Sequence, residues 1–172
     1  MPGGEPNASV CLEPDAARIR QRLLEVFSGN AVSSLPASTI AAPSGPEAPA
    51  TASAEIAGAP ASHAADGDLE TSWNSGQNAE QWILLDLGAP RTLARLRLHV
   101  AQDPAGTTHH QIWVGGDPGN LALIHEFQGL TTDRDVLEFI PTSPLADIRF
   151  VKVITLQSPS WVAWREIEVS AE

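Results

Sequence analysis

The segment from Ala61 to Leu87 constrains the fold more than any other part of this chain. It contains a carboxylate-rich turn, Asp66-Gly67-Asp68, and Thr71 adds a hydroxyl three residues later. An almost continuously apolar run, Trp82 to Leu87, follows the turn. Crowded oxygen ligands suit a hard cation, and the apolar run suits a buried strand. The sequence therefore predicts a loop that a cation pins to a β-sheet, although an ordinary Asx turn is the alternative.

The chain from residue 50 onward has the pattern of an all-β fold. Short apolar runs recur at regular intervals with turn residues between them, which is typical of a β-sandwich or barrel. In residues 91–100, apolar Leu96 and Leu98 alternate with charged Arg95 and Arg97, so one face of this strand should be buried and the other exposed to solvent. The run at 81–87 predicts a strand buried on both faces. The predicted strands are Ala50–Glu55, Gln81–Leu87, Arg91–Val100, His110–Gly115, Leu121–Phe127, Asp135–Ile140, Asp147–Leu156 and Trp161–Ser170.

The residues before this region divide into two parts. Residues 1–30 are predicted to form a tail and an amphipathic helix, because apolar side chains recur at helical spacing from Ile19 to Phe27 after a capping Asp15. Residues 31–49 are rich in Ala, Ser, Pro and Gly and predict a linker. The helix is predicted to pack on its own domain or to be left over from a larger chain, and a helix that binds a protein partner or oligomerises is the alternative. Residues 50–172 then form the main domain.

Charge and hydropathy narrow the range of partners. The net charge of −11 argues against nucleic acid and anionic lipid, which both require clustered Lys and Arg. No apolar run approaches the roughly 20 residues that span a bilayer. The N-terminus lacks the basic and apolar regions of a signal peptide, so we expect a soluble chain that is intracellular or part of a larger protein. The single cysteine, Cys11, excludes an internal disulfide.

Four sequence blocks occur in order: ASHAADGDLETSW, QWILLDLG, RFVKV and REIEV. Together they resemble the discoidin or F5/8 type C domain and the bacterial carbohydrate-binding modules of family 32, over roughly residues 50–171. The resemblance implies an eight-stranded jelly-roll β-sandwich that binds glycans in a secreted or cell-surface protein. A protein-interaction, adhesion or assembly domain on the same fold is the alternative. The animal clotting-factor domains of this family have a disulfide and loop tips that are basic and apolar. This sequence lacks both features, so no membrane insertion is expected.

The resemblance also implies one structural Ca²⁺. The residues that match the family's ligands are Asp66, Asp68, Thr71 and Glu166, with main-chain carbonyls of His63 or Ala64 and of Thr71 completing the shell. Calcium accepts six to eight oxygen ligands of this kind. Because Glu166 follows the turn by about a hundred residues, the ion would join the first loop to the last strand.

In sugar-binding members of the family, the ligand site lies among loops at one end of the sandwich. Trp161 follows a loop of Ser and Pro residues, so we predict that it stacks on a sugar ring, with capping of the core as the alternative. The predicted polar partners are Gln102, His109, His110 and Asn74 with its loop to Asn78. Trp73 and Trp82 are predicted to belong to the core, Trp164 is predicted to be packed, and Trp113 is predicted to face outward.

Enzymatic activity is not expected. Glu166 and Glu168 are spaced two residues apart on one strand, and paired carboxylates can hydrolyse glycosides. Glu166 is however better used as a calcium ligand. The sequence contains no Ser-His-Asp order, G-x-S-x-G elbow or phosphate-binding glycine loop. We therefore predict a non-catalytic domain.

Overall fold

The computed structural model describes residues 48–171. The predicted helix of residues 1–30 lies outside the described residues, as does the predicted linker at 31–49 except for its last two residues. Within the described residues, no helix is long and apolar enough to cross a membrane.

The described part of the chain contains eight strands and one short 3-10 helix, which confirms the all-β, eight-stranded prediction. The helix spans Ala61–Ala64. The strands are β1 (Ala50–Ala52), β2 (Trp73–Asn74), β3 (Gln81–Val100), β4 (Gly106–Asp117), β5 (Asn120–Thr131), β6 (Val136–Phe139), β7 (Leu145–Gln157) and β8 (Ala163–Ala171).

Strand β3 joins the two layers of the fold. Its first part, at 81–86, pairs antiparallel with β1 and β7, whereas its second part, at 95–100, pairs antiparallel with β6 and β8. Strands β4 and β5 extend the first layer beyond β7, and β2 extends the second beyond β8. The register shifts between Asp86 and Arg91, where Gly88 adopts a φ of +77°. That left-handed conformation favours glycine, and it lets one strand serve both layers.

The core lies between these two layers. Alternate residues of β3 point into it, with Ile83 and Leu85 from the first part and Leu96 and Leu98 from the second, all at most 1% exposed. Their neighbours from β4, β7 and β8 complete one continuous hydrophobic cluster. The predicted alternation of residues 91–100 is therefore confirmed. Trp73 and Trp164 are buried in the same core, also as predicted.

The strand at 81–87 differs from its prediction, because only one of its faces is buried. Trp82 and Leu84 are half-buried on the outer face of the sheet. The alternation of the strand directs the Trp82 side chain to the outer face, where the ammonium group of Lys152 lies 4.6 Å from the centre of its ring in a cation–π contact. The prediction that Trp82 belongs to the core is therefore wrong.

Four loops meet at one end of the sandwich, namely those that follow β2, β3, β5 and β7. The loop after β3 is bonded to the loop after β5, since the Gln102 N–H donates to Asp133 Oδ1 at 3.3 Å. The loop after β7 is bonded to the loop after β2, because the Val162 N–H donates to the Gln77 carbonyl at 2.9 Å. These two bonds, each donated by a backbone N–H, join the loops in two pairs.

Candidate functional site

A cavity of about 530 Å³ opens between these loops. Its lining includes one exposed aromatic residue, two carboxylates, one guanidinium and several amides. The residues that matter below are Asn74, Gln102, Asp103, Asp133, Trp161 and Arg165. Three of the five residues predicted for the ligand site, Trp161, Gln102 and Asn74, therefore meet in one place.

Trp161 is the exposed aromatic residue of this cavity, with 53% of its surface accessible. The next residue, Val162, is buried at 3%. Its carbonyl accepts a hydrogen bond from the Ser75 N–H at 2.9 Å, and its N–H donates to Gln77. Because Val162 is anchored in this way, the preceding indole is held at the surface. Trp161 therefore lines the cavity and does not cap the core.

Gln102 lies at the floor of the cavity and is only 8% exposed. Its side-chain oxygen accepts from the Thr131 hydroxyl at 2.9 Å. Its side-chain nitrogen donates to the Thr131 carbonyl at 3.0 Å and to the Pro104 carbonyl at 3.3 Å. With these bonds made inside the protein, Gln102 ties the loop after β3 to the end of β5 and supports the cavity from below.

Asn74 reaches the cavity from β2, which pairs with the start of β8. Its side-chain oxygen accepts from the Gly76 N–H at 2.8 Å, so the side chain is oriented by its own turn. Asn78, at the far end of the same loop, also lines the cavity. The predicted contribution of the Asn74–Asn78 loop agrees with this geometry.

Arg165 and Asp133 were missed by the sequence analysis. Arg165 Nη2 donates to both carboxylate oxygens of Asp133, at 3.0 and 2.8 Å. Burial by itself would raise the pKa of Asp133, but the Arg165 guanidinium and the Gln102 N–H outweigh it and hold the pKa below its usual value. Arg165 Nη1 also donates to the Leu69 carbonyl at 3.3 Å, which connects the cavity to the carboxylate-rich loop.

His109 and His110 do not line the cavity, which corrects their assignment to the ligand site. His110 is 4% exposed, and its Nδ1 lies 2.9 Å from the Thr155 hydroxyl. Burial, followed by the charge of His109, lowers its pKa to about 4. His109 instead lies 3.0 Å from Glu126, on the outer surface of β4 and β5. Neither imidazole therefore belongs to the lining of the cavity beside Trp161.

The residues predicted to hold calcium come partly together at the carboxylate-rich loop. Glu166 is 5% exposed and accepts from the Gly67 N–H at 3.0 Å. The Thr71 hydroxyl lies 2.9 and 3.1 Å from the two carboxylate oxygens of Asp66. Asp68 differs, because its carboxylate faces its own turn and accepts from the Glu70 N–H at 2.9 Å. Its main-chain carbonyl instead points to Thr71, at 3.0 Å.

The chemistry of this loop fits a hard cation. Burial raises the pKa of Glu166 to about 7, and the nearby carboxylates of Asp66 and Glu168 add to the rise. A pKa raised in this way indicates that the deprotonated carboxylate lacks a compensating positive charge. The ion pairs among the described residues do not include Glu166. Two carboxylates, a hydroxyl and main-chain carbonyls are the oxygen ligands that Ca²⁺ accepts. Within the same residues, however, no three His, Cys, Asp or Glu side chains form a metal-binding group, so carbonyl oxygens would have to complete the shell.

A scan against protein-family models matches residues 49–167 to the F5/8 type C domain. Among curated proteins no sequence match was found.

Several solved structures are similar to this chain. One is the family 32 carbohydrate-binding module of NanJ from C. perfringens, in complex with galactose (22% identity, TM-score 0.62, covering 72% of this chain and 93% of that one). Another is chitosan-binding module 1 of a chitosanase/glucanase from Paenibacillus sp. IK-5 (27% identity, TM-score 0.62, covering 73% and 96%). A third is a Clostridium perfringens module in complex with GalNAc-β-1,3-galactose (21% identity, TM-score 0.60, covering 73% and 96%).

Proposed function

We propose that this chain, which belongs to the F5/8 type C domain family, is a non-catalytic carbohydrate-binding module that binds its glycan in the loop-end cavity. The observation that carries the proposal is the exposed indole of Trp161 beside hydrogen-bonding side chains. An aromatic face offers a large, rigid apolar surface, which matches the C–H face of a sugar ring. The similar structures bound to galactose and to a galactose-containing disaccharide support this assignment.

The surroundings of Trp161 suit a ligand that is apolar on one face and polar at its edges. The cavity volume of about 530 Å³ lies within the ordinary range of small-ligand sites. Amide groups from Asn74 and Asn78 and the charged pair of Asp133 and Arg165 surround it. These groups provide both donors and acceptors, as sugar hydroxyls require.

Calcium enters the proposal as a structural ion at the carboxylate-rich loop. We infer that the carboxylates of Asp66 and Glu166, the hydroxyl of Thr71 and the main-chain carbonyl of Asp68 would hold it. When bound, the ion supplies positive charge to the buried carboxylate of Glu166. It would thereby join the loop at 66–71 to β8, the strand that also carries Arg165.

The family resemblance and the bacterial origin of the similar structures further support a module of a surface or secreted bacterial protein.

A glycan array in calcium-containing buffer tests the proposed site, with Trp161→Ala as the variant. We expect at least a tenfold loss of affinity, which is the scale at which truncating an interface anchor acts. Trp113→Ala is the matched control, because Trp113 is half-buried on the outer face of β4 and does not line the cavity. The proposal fails if no glycan binds, or if Trp161→Ala binds as tightly as the unmodified protein. The absence of glycan binding would favour the protein-interaction alternative, whereas unchanged binding by Trp161→Ala would mean that the glycan binds outside this cavity.

A further inference from the structure

The charges around the cavity do not balance. Its guanidinium, on Arg165, is bonded to both oxygens of Asp133 at 3.0 and 2.8 Å. A second guanidinium close by, on Arg134, is bonded in the same two-pronged way to Glu70, at 3.1 and 3.0 Å. Each positive charge is therefore matched by a carboxylate.

The carboxylate of Asp103 has no such partner among the described residues. Asp103 is exposed at the cavity wall, in the loop after β3. No ion pair within 4.0 Å in the described part of the chain includes it. The lining therefore carries one uncompensated negative charge, across the same cavity as the exposed indole of Trp161.

From this arrangement we propose that the cavity selects amino sugars with a free, protonated amine, such as glucosamine oligomers, over uronic acids. This inference rests on the proposed function, because it assigns a substrate class to the same site. The ammonium group would lie against Asp103 while the sugar ring stacks on Trp161. A uronate would instead bring a second carboxylate to Asp103, and like charges placed together oppose binding.

The similar structures do not indicate which class of sugar this chain binds. They include modules in complex with galactose and with an unsaturated mannuronic acid, as well as a chitosan-binding module. Their ligands thus span neutral, anionic and amine-bearing sugars. The discrimination has to come from the cavity charges of this chain.

Isothermal titration of three trisaccharides tests the proposal: glucosamine, N-acetylglucosamine and galacturonic acid oligomers, at about pH 6, where an aliphatic amine is protonated. We expect the glucosamine trimer to bind about three- to tenfold more tightly than its N-acetylated form at low salt, and the galacturonate trimer most weakly. Added salt should weaken the glucosamine preference and relieve the repulsion of the galacturonate, because exposed charges are screened, and it should leave the affinity for the neutral N-acetylated trimer unchanged. Spermidine, a polyamine without a sugar ring, should not bind.

Asp103→Asn should abolish the preference for the free amine and leave the affinity for the N-acetylated trimer within about twofold. Asp147→Asn is the matched control: it removes the same unit charge from an exposed aspartate outside the cavity, at a φ of 59° that Asn tolerates. Equal affinity for all three sugars, a preference for galacturonate, or tight spermidine binding would overturn the charge selection. In those cases, a neutral sugar whose binding still depends on Trp161 would leave the proposed function intact. Failure of all three sugars would overturn the charge selection alone, because the proposed function is lost only if no glycan on the array binds or if the binding does not depend on Trp161.

Discussion

Two buried groups should give this domain opposing pH dependences. The pKa of His110 is lowered from 6.5 to about 4 by burial and by His109. The folded protein then binds fewer protons than the unfolded chain, so stability is lost as the pH falls through this range. The pKa of Glu166 is raised from 4.5 to about 7, mainly by burial. The folded protein then binds more protons than the unfolded chain, so stability is lost as the pH rises from 4.5 to 7.

The two effects are similar in size. Each pKa moves by about 2.5 pH units, and one unit corresponds to about 1.4 kcal/mol. Between pH 5 and 6.5 each group should therefore change the free energy of unfolding by about 2 kcal/mol, with opposite sign. Without calcium the two changes should nearly cancel. Glu166→Gln removes one of them, so its stability should rise by about 2 kcal/mol over this interval.

Urea unfolding in EDTA at several pH values from 5 to 6.5 measures these slopes, provided that the m-value stays constant. Glu80→Gln is the control, because Glu80 is exposed and its removal should leave the wild-type profile unchanged. With saturating calcium, the unmodified protein should acquire the rising profile of Glu166→Gln and become more stable, because the ion competes with the proton for the carboxylate. Parallel profiles for the wild type and Glu166→Gln in EDTA would refute the reasoning.

Three further predictions concern stability. The melting temperature should be higher in calcium than in EDTA, because a ligand of the folded state stabilises it by mass action; identical melts in scanning calorimetry would refute the calcium assignment. Leu98→Ala, at a fully buried position, should lower the free energy of unfolding by about 2–5 kcal/mol in urea titrations, whereas Leu130→Ala, at a position 78% exposed, should change it by less than about 0.5 kcal/mol. Gly88→Ala should cost about 1–2 kcal/mol by the same assay, because its φ of +77° disfavours a side chain even though no atom lies within 4 Å of the added Cβ; an unchanged midpoint would contradict this account.

The sequence predicted those parts of the fold that depend on local pattern. The alternation of Leu96 and Leu98 with Arg95 and Arg97 determines the buried face, because successive side chains of a strand point to opposite sides. The continuity of β3 was not predictable in the same way. Gly88 and the residues after it read as a turn, but pairing partners distant in sequence keep the chain extended on both sides of it.

The errors at the site have similar physical causes. His110 was assigned to the ligand site as a polar residue, yet it shares a strand face with Ile112 and Val114, and that spacing alone indicates an inward direction. Arg165 and Asp133 are 32 residues apart, and their pairing depends on how two loops meet. By contrast, the position of Trp161 in a surface loop could be predicted, because a run of Ser and Pro residues directly precedes it.

Arg165 is bonded both to Asp133 at the cavity and to the Leu69 carbonyl in the carboxylate-rich loop, so one side chain connects the proposed sugar site with the proposed ion site. A guanidinium has a fixed fork geometry, so a shift of the Leu69 carbonyl changes where the same group can meet Asp133. Should an ion in the carboxylate-rich loop alter the affinity for sugar, thermodynamic reciprocity requires the sugar to alter the affinity for the ion by the same factor. A glycan bound in the cavity would then act as a heterotropic effector of the proposed ion site.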